Sequence, residues 1–291
     1  MNAIQTENLT KFYGRHRGIE DISLTVAEGD FFGFIGPNGA GKSTTIRTLL
    51  GLISPTGGSA RVFGKDIVRD RLEILSEVGY LPSEAIFYNG MRVKELLEFS
   101  AKLRKKDCRS EAKLLCERLS LDPGRKISEL SLGNRKKVGI VLALQHKPRL
   151  YILDEPTGGL DPLMQQEFYR ILRERSDEGA TVFLSSHILS EVSRYCSNAA
   201  VIRDGRLLVC DSIENLGHTG VKRVVLQGTD GIPAIDNISD ASYSDNCARF
   251  LYSGDRQKLI RALAGVKFSD ISITDPDFEE IFLHYYTEEG K

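Results

Sequence analysis

The residues best suited to chemistry form one short stretch, Gly36-Pro37-Asn38-Gly39-Ala40-Gly41-Lys42-Ser43. Two glycines separated by four residues and followed by Lys and Ser are typical of a phosphate-binding loop. The apolar run 31–35 before it predicts a buried strand, and helical spacing follows from Thr44. The glycines let backbone N–H groups turn inward, and the helix start adds its positive end. We therefore predict a polyphosphate site, with Lys42 on the β- and γ-phosphates and the Ser43 hydroxyl on Mg²⁺.

Two carboxylates and a histidine are the next candidates. Asp154 and Glu155 end the apolar run 150–153, which predicts a buried parallel strand, and His187 follows a second such strand, 181–185. In parallel sheets, ligands bind beyond the carboxyl ends of the strands. Two acids placed there for solubility alone are the less favoured interpretation, whereas a lone histidine after a strand is often only a surface residue.

The rest of the first 216 residues positions these groups. Residues 3–12 and 22–26 predict paired antiparallel strands, and residues 60–65 a short hairpin. Apolar spacing predicts a helical insertion over about 88–144, whose last helix has Ser131 and Gly133 at its start, again a place that favours an anion. Asp204-Gly205 predicts a two-residue hairpin between the last two strands of this part.

Composition limits the class of protein. The chain has 291 residues, a formal net charge of -1 and 41% hydrophobic residues, so a large domain plus a smaller one is expected and no general attraction to nucleic acid is implied. No apolar run approaches the ~18 residues needed to span a bilayer, and the N-terminus lacks a signal-peptide core, which predicts a cytoplasmic protein. Five scattered cysteines without CxxC spacing indicate reduced structural thiols and no zinc site.

From about residue 217 the pattern changes to a small α+β unit. Residues 222–227, 249–252 and 271–274 predict strands, 256–263 a helix, and 278–286 a final amphipathic helix. No cluster of catalytic type occurs in it. We expect two domains, 1–216 and 217–291, the second of them accessory.

Taken together, these residues resemble the ATP-binding subunits of ABC transporters, and within them the bacterial exporters of the drug-efflux and bacteriocin-immunity type. The resemblance covers about residues 1–216. It implies a P-loop NTPase core, a mixed sheet with an antiparallel β subdomain and a helical subdomain, followed by the small C-terminal α+β domain. It also implies an ATPase that powers a separate membrane permease from the cytoplasmic face of the membrane, with export as the direction of transport.

The resemblance assigns roles to individual residues. Glu155 is similar to the general base that activates water, Asp154 to the carboxylate that holds Mg²⁺, and His187 to the histidine that contacts the γ-phosphate. Tyr13 then matches the aromatic that stacks on adenine, although its periodicity alone favours an ordinary half-buried tyrosine. The residues that would contact ATP are Tyr13, the loop from Gly36 to Ser43, Thr44, Ser131 and Gly133.

Residues 130–134 resemble the signature sequence of the family, which closes over ATP bound to a second subunit. A head-to-tail dimer, homomeric or pseudo-symmetric, is thereby implied. Three positions depart from the family pattern: Leu132 replaces a glycine, Asn134 replaces a glutamine, and Ser83 stands where a glutamine is expected after Pro82.

These departures leave two other functions to weigh. One is a soluble ATP-dependent switch without a membrane partner, although such relatives usually carry two ATPase units, a long coiled coil or basic patches, which are not visible here. The other is a nucleotide-binding regulator with little turnover, which Ser83 and Leu132 motivate.

The loop 83–92 is the expected route of coupling to the permease. We predict that Glu84, rather than Ser83, supplies its polar link to the nucleotide. Phe87 and Tyr88 are predicted to line the site of the membrane partner, the alternative being that both rings pack under their own loop.

Overall fold

A computed structural model describes residues 1–88, 90–217 and 220–276. The chain divides into two compact units, residues 1–212 and 213–291. The predicted final helix, 278–286, lies outside the described residues.

Strands of the first unit are assigned as follows: β1 Asn2–Tyr13, β2 His16–Ala27, β3 Phe31–Ile35, β4 Gly57–Val62, β5 Lys65–Asp66, β6 Val78–Leu81, β7 Leu150–Asp154, β8 Thr181–Ser186, β9 Asn198–Arg203 and β10 Arg206–Ser212. Its helices are α1 Lys42–Leu49, α2 Arg71–Glu77, α3 Val93–Leu103, α4 Arg109–Arg118, α5 Leu132–Leu144, α6 Pro162–Asp177 and α7 Leu189–Tyr195, with a short 3₁₀ turn at Ile127–Glu129.

A six-stranded sheet with the order β10-β9-β3-β8-β7-β6 forms the centre of this unit. Strands β9, β3, β8, β7 and β6 run parallel, and β10 pairs antiparallel with β9 at one edge. Every residue of β3, β7 and β8 is buried. Continuous apolar runs form such strands because both faces of a central parallel strand are covered.

The second sheet is antiparallel, with the order β2-β1-β4-β5. Its alternating pattern buries one face, where Ile4, Ile22 and Val62 join a core that also contains Phe34 of β3 and Ile46 of α1. Burial of each such side chain contributes roughly 1.5–3 kcal/mol, so this shared core holds the phosphate loop between two sheets.

The helical insertion runs from α3 to α5. Leu96 and Leu97 of α3 and Leu115 of α4 are buried, as their spacing predicts. Helix α5 returns the chain to the sheet, where it packs on β6 so closely that a side chain at Gly79 would lie 2.1 Å from the carbonyl oxygen of Ala143. The helical insertion therefore packs directly on β6, the strand that precedes the loop 83–92.

The second unit contains α8 Ile213–Gly217, β11 Lys222–Gln227, β12 Ile238–Ser244, β13 Cys247–Tyr252, α9 Arg256–Leu263 and β14 Asp270–Thr274. Its strands form an antiparallel sheet with the order β12-β13-β11-β14. Leu259 and Leu263 of α9 pack with Val224, Phe250 and Tyr252 in a separate core.

The mixed α/β architecture agrees with the prediction. The hairpin at Asp204-Gly205 is also confirmed, since both residues have positive φ, 48° and 78°, and join antiparallel strands. Among the described elements, four helices and one strand had not been predicted, α2, α6, α7, α8 and β12, nor had the 3₁₀ turn.

Candidate functional site

The register of the central sheet brings the predicted groups to one edge. Ile35 pairs with Ser186, Asp154 with Ser185, and Leu153 with Leu81. Because these strands are parallel, the residues that follow each of them leave the sheet at the same side. The phosphate loop, Glu155, His187 and the loop after β6 therefore start from neighbouring points.

The phosphate loop needs its glycines for two separate reasons. Gly39 and Gly41 have φ of 82° and 108°, a backbone region that disfavours side chains. Gly36 has no room for one, since a Cβ would lie 2.4 Å from the carbonyl oxygen of Ile202. The resulting loop leads directly into α1, whose N-terminus points its free N–H groups into the turn.

Lys42 lies at the centre of the loop. Its ammonium donates to the carbonyl oxygens of Gly36 at 2.6 Å and Pro37 at 3.2 Å, and it lies 3.0 Å from Oε1 of Glu155. The contact with Glu155 is an ion pair whose geometry is not that of an aligned hydrogen bond. The second carboxylate oxygen of Glu155, Oε2, lies 2.7 Å from Nδ1 of His187. Glu155, the candidate general base, thus contacts both Lys42 of the phosphate loop and His187.

Ser43 and Asp154 form the neighbouring pair. The Ser43 hydroxyl donates to Oδ2 of Asp154 at 2.7 Å, and the Ser185 hydroxyl donates to Oδ1 at 2.6 Å. Asp154 is completely buried, so its two oxygens are held in one orientation by these hydroxyls. A hydroxyl and a carboxylate side by side offer the oxygen ligands that Mg²⁺ prefers.

A cavity of about 370 Å³ opens over the phosphate loop. Of the predicted site residues, those that line it are Tyr13, Pro37, Asn38, Gly39, Gly41, Lys42, Ser43, Thr44 and Glu155. Gly36 and Ala40 do not line it; the Ala40 N–H is used within the loop, on the carbonyl oxygen of Pro37 at 3.2 Å.

Tyr13 stands at the mouth of this cavity, at the end of β1. The residue is 46% exposed, about the half-burial that periodicity alone favours. Gly18 allows the close approach of the ring, because a Cβ there would lie 2.8 Å from Cε2 of Tyr13. The ammonium of Lys11 lies 5.4 Å from the ring centroid. An exposed ring face beside a phosphate loop is able to stack on a purine.

Ser131 and Gly133 lie at the start of α5 and do not line the cavity. Ser131 caps the helix, its Oγ accepting from the N–H of Asn134 at 3.3 Å. A Cβ on Gly133 would lie 2.6 Å from the carbonyl oxygen of Gly159, so these two loops meet through bare backbone. Leu132 between them is 77% exposed. The structure thus groups the signature residues with Gly159 on a surface of their own.

The loop after β6 divides into two parts. Ser83 lines the cavity, whereas Glu84 is exposed and is not among the lining residues, so the prediction that Glu84 makes the polar link is wrong for this geometry. Phe87 is half-buried, with its Cζ 3.7 Å from the point where a Cβ of Gly139 would lie. Tyr88 is 69% exposed. Packing under the loop therefore describes Phe87, and only Tyr88 presents a free ring.

Sequence reasoning missed three contributors to the site. Arg17 and Gly18 line the cavity from the β1–β2 hairpin, and Ser185 bonds to Asp154. The sequence did carry a signal for Ser185: it is a hydroxyl-bearing residue inside a wholly buried strand, next to the strand that ends in Asp154. A fourth residue, Lys136, contacts the backbone of Glu155, and no pattern in the sequence distinguishes it from Lys137 beside it in α5.

A larger cavity, about 650 Å³, lies in the helical insertion between α3 and α4. Cys108, Cys116 and Gln145 are among its lining residues, and none of the predicted site residues is. All five cysteines are free thiols, as predicted. Burial raises the pKa of Cys116 to about 11, which keeps this thiol protonated and unreactive.

In residues 1–88, 90–217 and 220–276, no helix combines the length and the apolar character needed to cross a membrane. Within the same residues, no group of three or more His, Cys, Asp or Glu side chains could hold a metal ion.

Comparisons with known proteins agree with this geometry. The family described as ABC transporter matches residues 19–158. The bacitracin transport ATP-binding protein BcrA of Bacillus licheniformis is 37% identical over 236 residues, 80% of this chain and 77% of that protein. An uncharacterised ABC transporter ATP-binding protein of Synechocystis is 30% identical over 99% of this chain and 86% of its own length.

A solved structure with the same architecture is that of an ATP binding subunit of an ABC transporter. It is 29% identical to this chain, with a TM-score of 0.69 over 74% of this chain and 91% of that one. These findings also confirm the predicted P-loop NTPase core. The chain therefore belongs to the ABC transporter family and is an ATP-binding, ATP-hydrolysing subunit of such a transporter.

Proposed function

We propose that this ATPase subunit binds Mg-ATP in the cavity over the phosphate loop and uses its hydrolysis to drive export through a separate membrane permease. The observation that carries the assignment is that Lys42 and Glu155 line this cavity 3.0 Å apart. His187 does not line the cavity, but its Nδ1 lies 2.7 Å from the Glu155 carboxylate. Tyr13 would stack on the adenine, and the loop N–H groups and Lys42 would bind the phosphates.

Glu155 is the proposed general base. Its carboxylate reaches the cavity from the end of β7, and both of its oxygens are oriented, one toward Lys42 and one toward His187. A carboxylate in this place can accept a proton from the attacking water, and His187 would contact the γ-phosphate while orienting Glu155.

Mg²⁺ would be held by the Ser43 hydroxyl and by Asp154. The donor set fits, since both groups are oxygen ligands and they lie within 2.7 Å of each other. When bound, the cation would neutralise charge on the transferred phosphate. Ser185 would keep the Asp154 carboxylate in place through its hydrogen bond to Oδ1.

A second subunit is proposed to complete the site. Ser131 and Gly133 lie at a helix start and are not among the residues that line the cavity of their own chain, and Ser131 is exposed. Such a helix start suits the phosphates of ATP bound by a partner, in a head-to-tail dimer. The permease would dock on the outer side of the loop 83–92, with the subunit at the cytoplasmic face of the membrane.

We propose an ATP-binding domain over residues 1–216, with a helical subdomain at about 88–144, and an accessory domain over 217–291. Export is the direction favoured by the similarity to the bacitracin transport protein BcrA. Bacitracin transport is stated of that protein, and for this chain it suggests bacitracin or a related compound as the first substrate to test.

The substitution Glu155→Gln tests this function. The variant is expected to bind ATP with nearly parental affinity but to hydrolyse it at least about 100-fold more slowly, because only the base is removed. It should also accumulate as a dimer at saturating Mg-ATP, measured by light scattering. Hydrolysis at the parental rate would refute the role of Glu155, and a monomer under these conditions would refute the closed dimer.

A further inference from the structure

Lys136 is a buried cation with neutral oxygens as its direct partners. It lies on the second turn of α5 and is only 6% exposed. Its ammonium donates to the carbonyl oxygens of Glu155 at 2.8 Å and Ser83 at 3.1 Å, with a longer contact of 3.5 Å to that of Pro82. Burial lowers its pKa, while the charges of Asp154 and Glu155 act in the opposite direction. A lysine is costly to bury in this way, which indicates a role beyond packing.

The same contacts account for the conformation of Glu155. This residue has φ of 49°, a left-handed backbone that a residue with a side chain seldom adopts. Its N–H lies 3.2 Å from the carbonyl oxygen of Ser185, its carboxylate contacts Lys42 and His187, and its carbonyl oxygen is taken by Lys136. Each polar group of Glu155 thus has its own partner, and the partner of its carbonyl oxygen, Lys136, belongs to the helical insertion.

Helix α5 also packs closely on β6 and on the loop that follows it. A Cβ on Gly139, one turn after Lys136, would lie 2.8 Å from Leu81 and 3.6 Å from Ala85. The helix therefore packs directly on β6 and the loop after it, and the Lys136 ammonium joins the carbonyl oxygen of Ser83 in that loop to the backbone of Glu155.

We propose that Lys136 is a positioning residue for ATP hydrolysis, which holds the backbone of Glu155 in its left-handed conformation and connects it to the loop 83–92. The inference rests on the proposed function, in which Glu155 is the base. In this proposal, Lys136 connects the backbone of Glu155 to the backbone of the loop. The short side chain of Ser83 does not make that connection.

The test replaces Lys136 by methionine, which keeps the length and apolar stem but removes the donors. Lys136→Met is expected to lower kcat about 10- to 100-fold, since a small displacement of a catalytic group is enough for such a loss. The Kd for ATP should change less than about 3-fold, because Lys136 does not touch the cavity. Lys137→Met is the matched control: it removes a neighbouring buried lysine that makes none of these contacts, and it should retain a kcat near that of the parent.

A double variant separates positioning from general destabilisation. In the Glu155→Gln background, Lys136→Met should cause no more than about a 3-fold further loss, since Lys136 acts through the base that is already missing. Lys136→Gln, whose amide reaches one atom less far and cannot span both carbonyl oxygens, should give a kcat between those of Lys136→Met and the parent. If Lys136→Met does not fold, Lys136→Gln decides: a reduced kcat with unchanged Kd supports the proposal, and a parental kcat overturns it.

Three results would overturn the inference: a parental kcat in Lys136→Met, an equal loss in Lys137→Met, or losses that multiply in the double variant. A Glu155→Gln variant that hydrolyses ATP normally would instead show that the proposed function itself is wrong.

Discussion

At the scale of single residues, Lys42 is expected to exchange its partners when ATP binds. It now binds the carbonyl oxygens of Gly36 and Pro37 and pairs with Glu155. Incoming phosphates are stronger partners for an ammonium than neutral carbonyl groups, so ATP is expected to draw Lys42 away from the loop. The ion pair therefore connects nucleotide binding to the position of the base.

Lys42→Ala should lower the affinity for ATP by at least about 10-fold, since it removes a charge-assisted contact worth about 1.4 kcal/mol or more. Calorimetric titration with Mg-ATP measures the effect. Lys65→Ala is a suitable control, because Lys65 pairs with Glu73 and Glu77 away from the cavity. Equal Kd values for Lys42→Ala and the parent would contradict the role given to Lys42.

The residues of the site differ in how far the sequence predicts them. Asp154 and Glu155 are predictable because they end a buried strand, and Lys42 because its loop has a fixed spacing. Lys136 and Ser185 are not, because their contacts depend on the register between strands and on where α5 crosses β6. Glu84 was the wrong choice because the chain bends at residues 83 and 84, which leaves Ser83 on the cavity and Glu84 exposed.

At the scale of elements, the end of α5 is held to the sheet by His146. The ring is buried, and Nε2 lies 3.2 Å from the carbonyl oxygen of Val78 at the start of β6. Burial, with Arg104 nearby, lowers the pKa of His146 to about 4 from an ordinary value of 6.5. The unfolded chain therefore takes up this proton at a higher pH than the folded chain.

Because of that difference, the free energy of unfolding should fall as the pH drops from about 6.5 to about 4, by on the order of 3 kcal/mol from His146 alone. Urea unfolding at several pH values measures the change. His146→Gln should be less stable near pH 7 but should lose less on acidification, whereas His16→Gln, at an exposed position, should follow the parent. Parallel pH profiles for the parent and His146→Gln would disprove the contribution of His146.

The loop after β6 supports a second prediction at this scale. Phe87→Ala should lower Tm by several degrees, since the half-buried ring packs beside Gly139 of α5. Tyr88→Ala should leave Tm within about 1 °C, because surface substitutions of this kind have small effects. It should nevertheless reduce co-purification with the co-expressed permease.

Ile86→Ala is the control for this pair, since Ile86 is 94% exposed in the same loop. A Tyr88→Ala variant that melts as low as Phe87→Ala but still retains the permease would show that both rings serve the fold alone.

Strand and helix assignments from the sequence succeeded where a single hydrophobic pattern dominates the segment. The buried strands β3, β7 and β8 are continuous apolar runs, and α9 has a clear apolar stripe with its N-cap at Asp255. Helix α6 was not predicted, although Asp161 caps it and Pro162 begins it, two signals that mark a helix start in a sequence. Strand β12 is mostly exposed, so its sequence carries little apolar pattern.

At the scale of the whole molecule, the cavity and its supporting contacts belong to the first unit. The residues that line it fall between Tyr13 and Glu155, and the edge strand β10 is complete at Ser212. The second unit has its own sheet and its own core around Phe250 and Leu259. Each unit therefore has the internal contacts that independent folding requires.

A chain shortened to end at Asn215 should consequently fold and bind ATP with a Kd within about 3-fold of the parent, since no strand of the first unit is cut. Circular dichroism establishes that the shortened chain is folded, and calorimetric titration with Mg-ATP gives its Kd. Lys42→Ala in the same shortened chain is the control for specific binding. If the shortened chain is folded but binds ATP no better than this control, then residues 216–291 contribute to the nucleotide site and are not accessory.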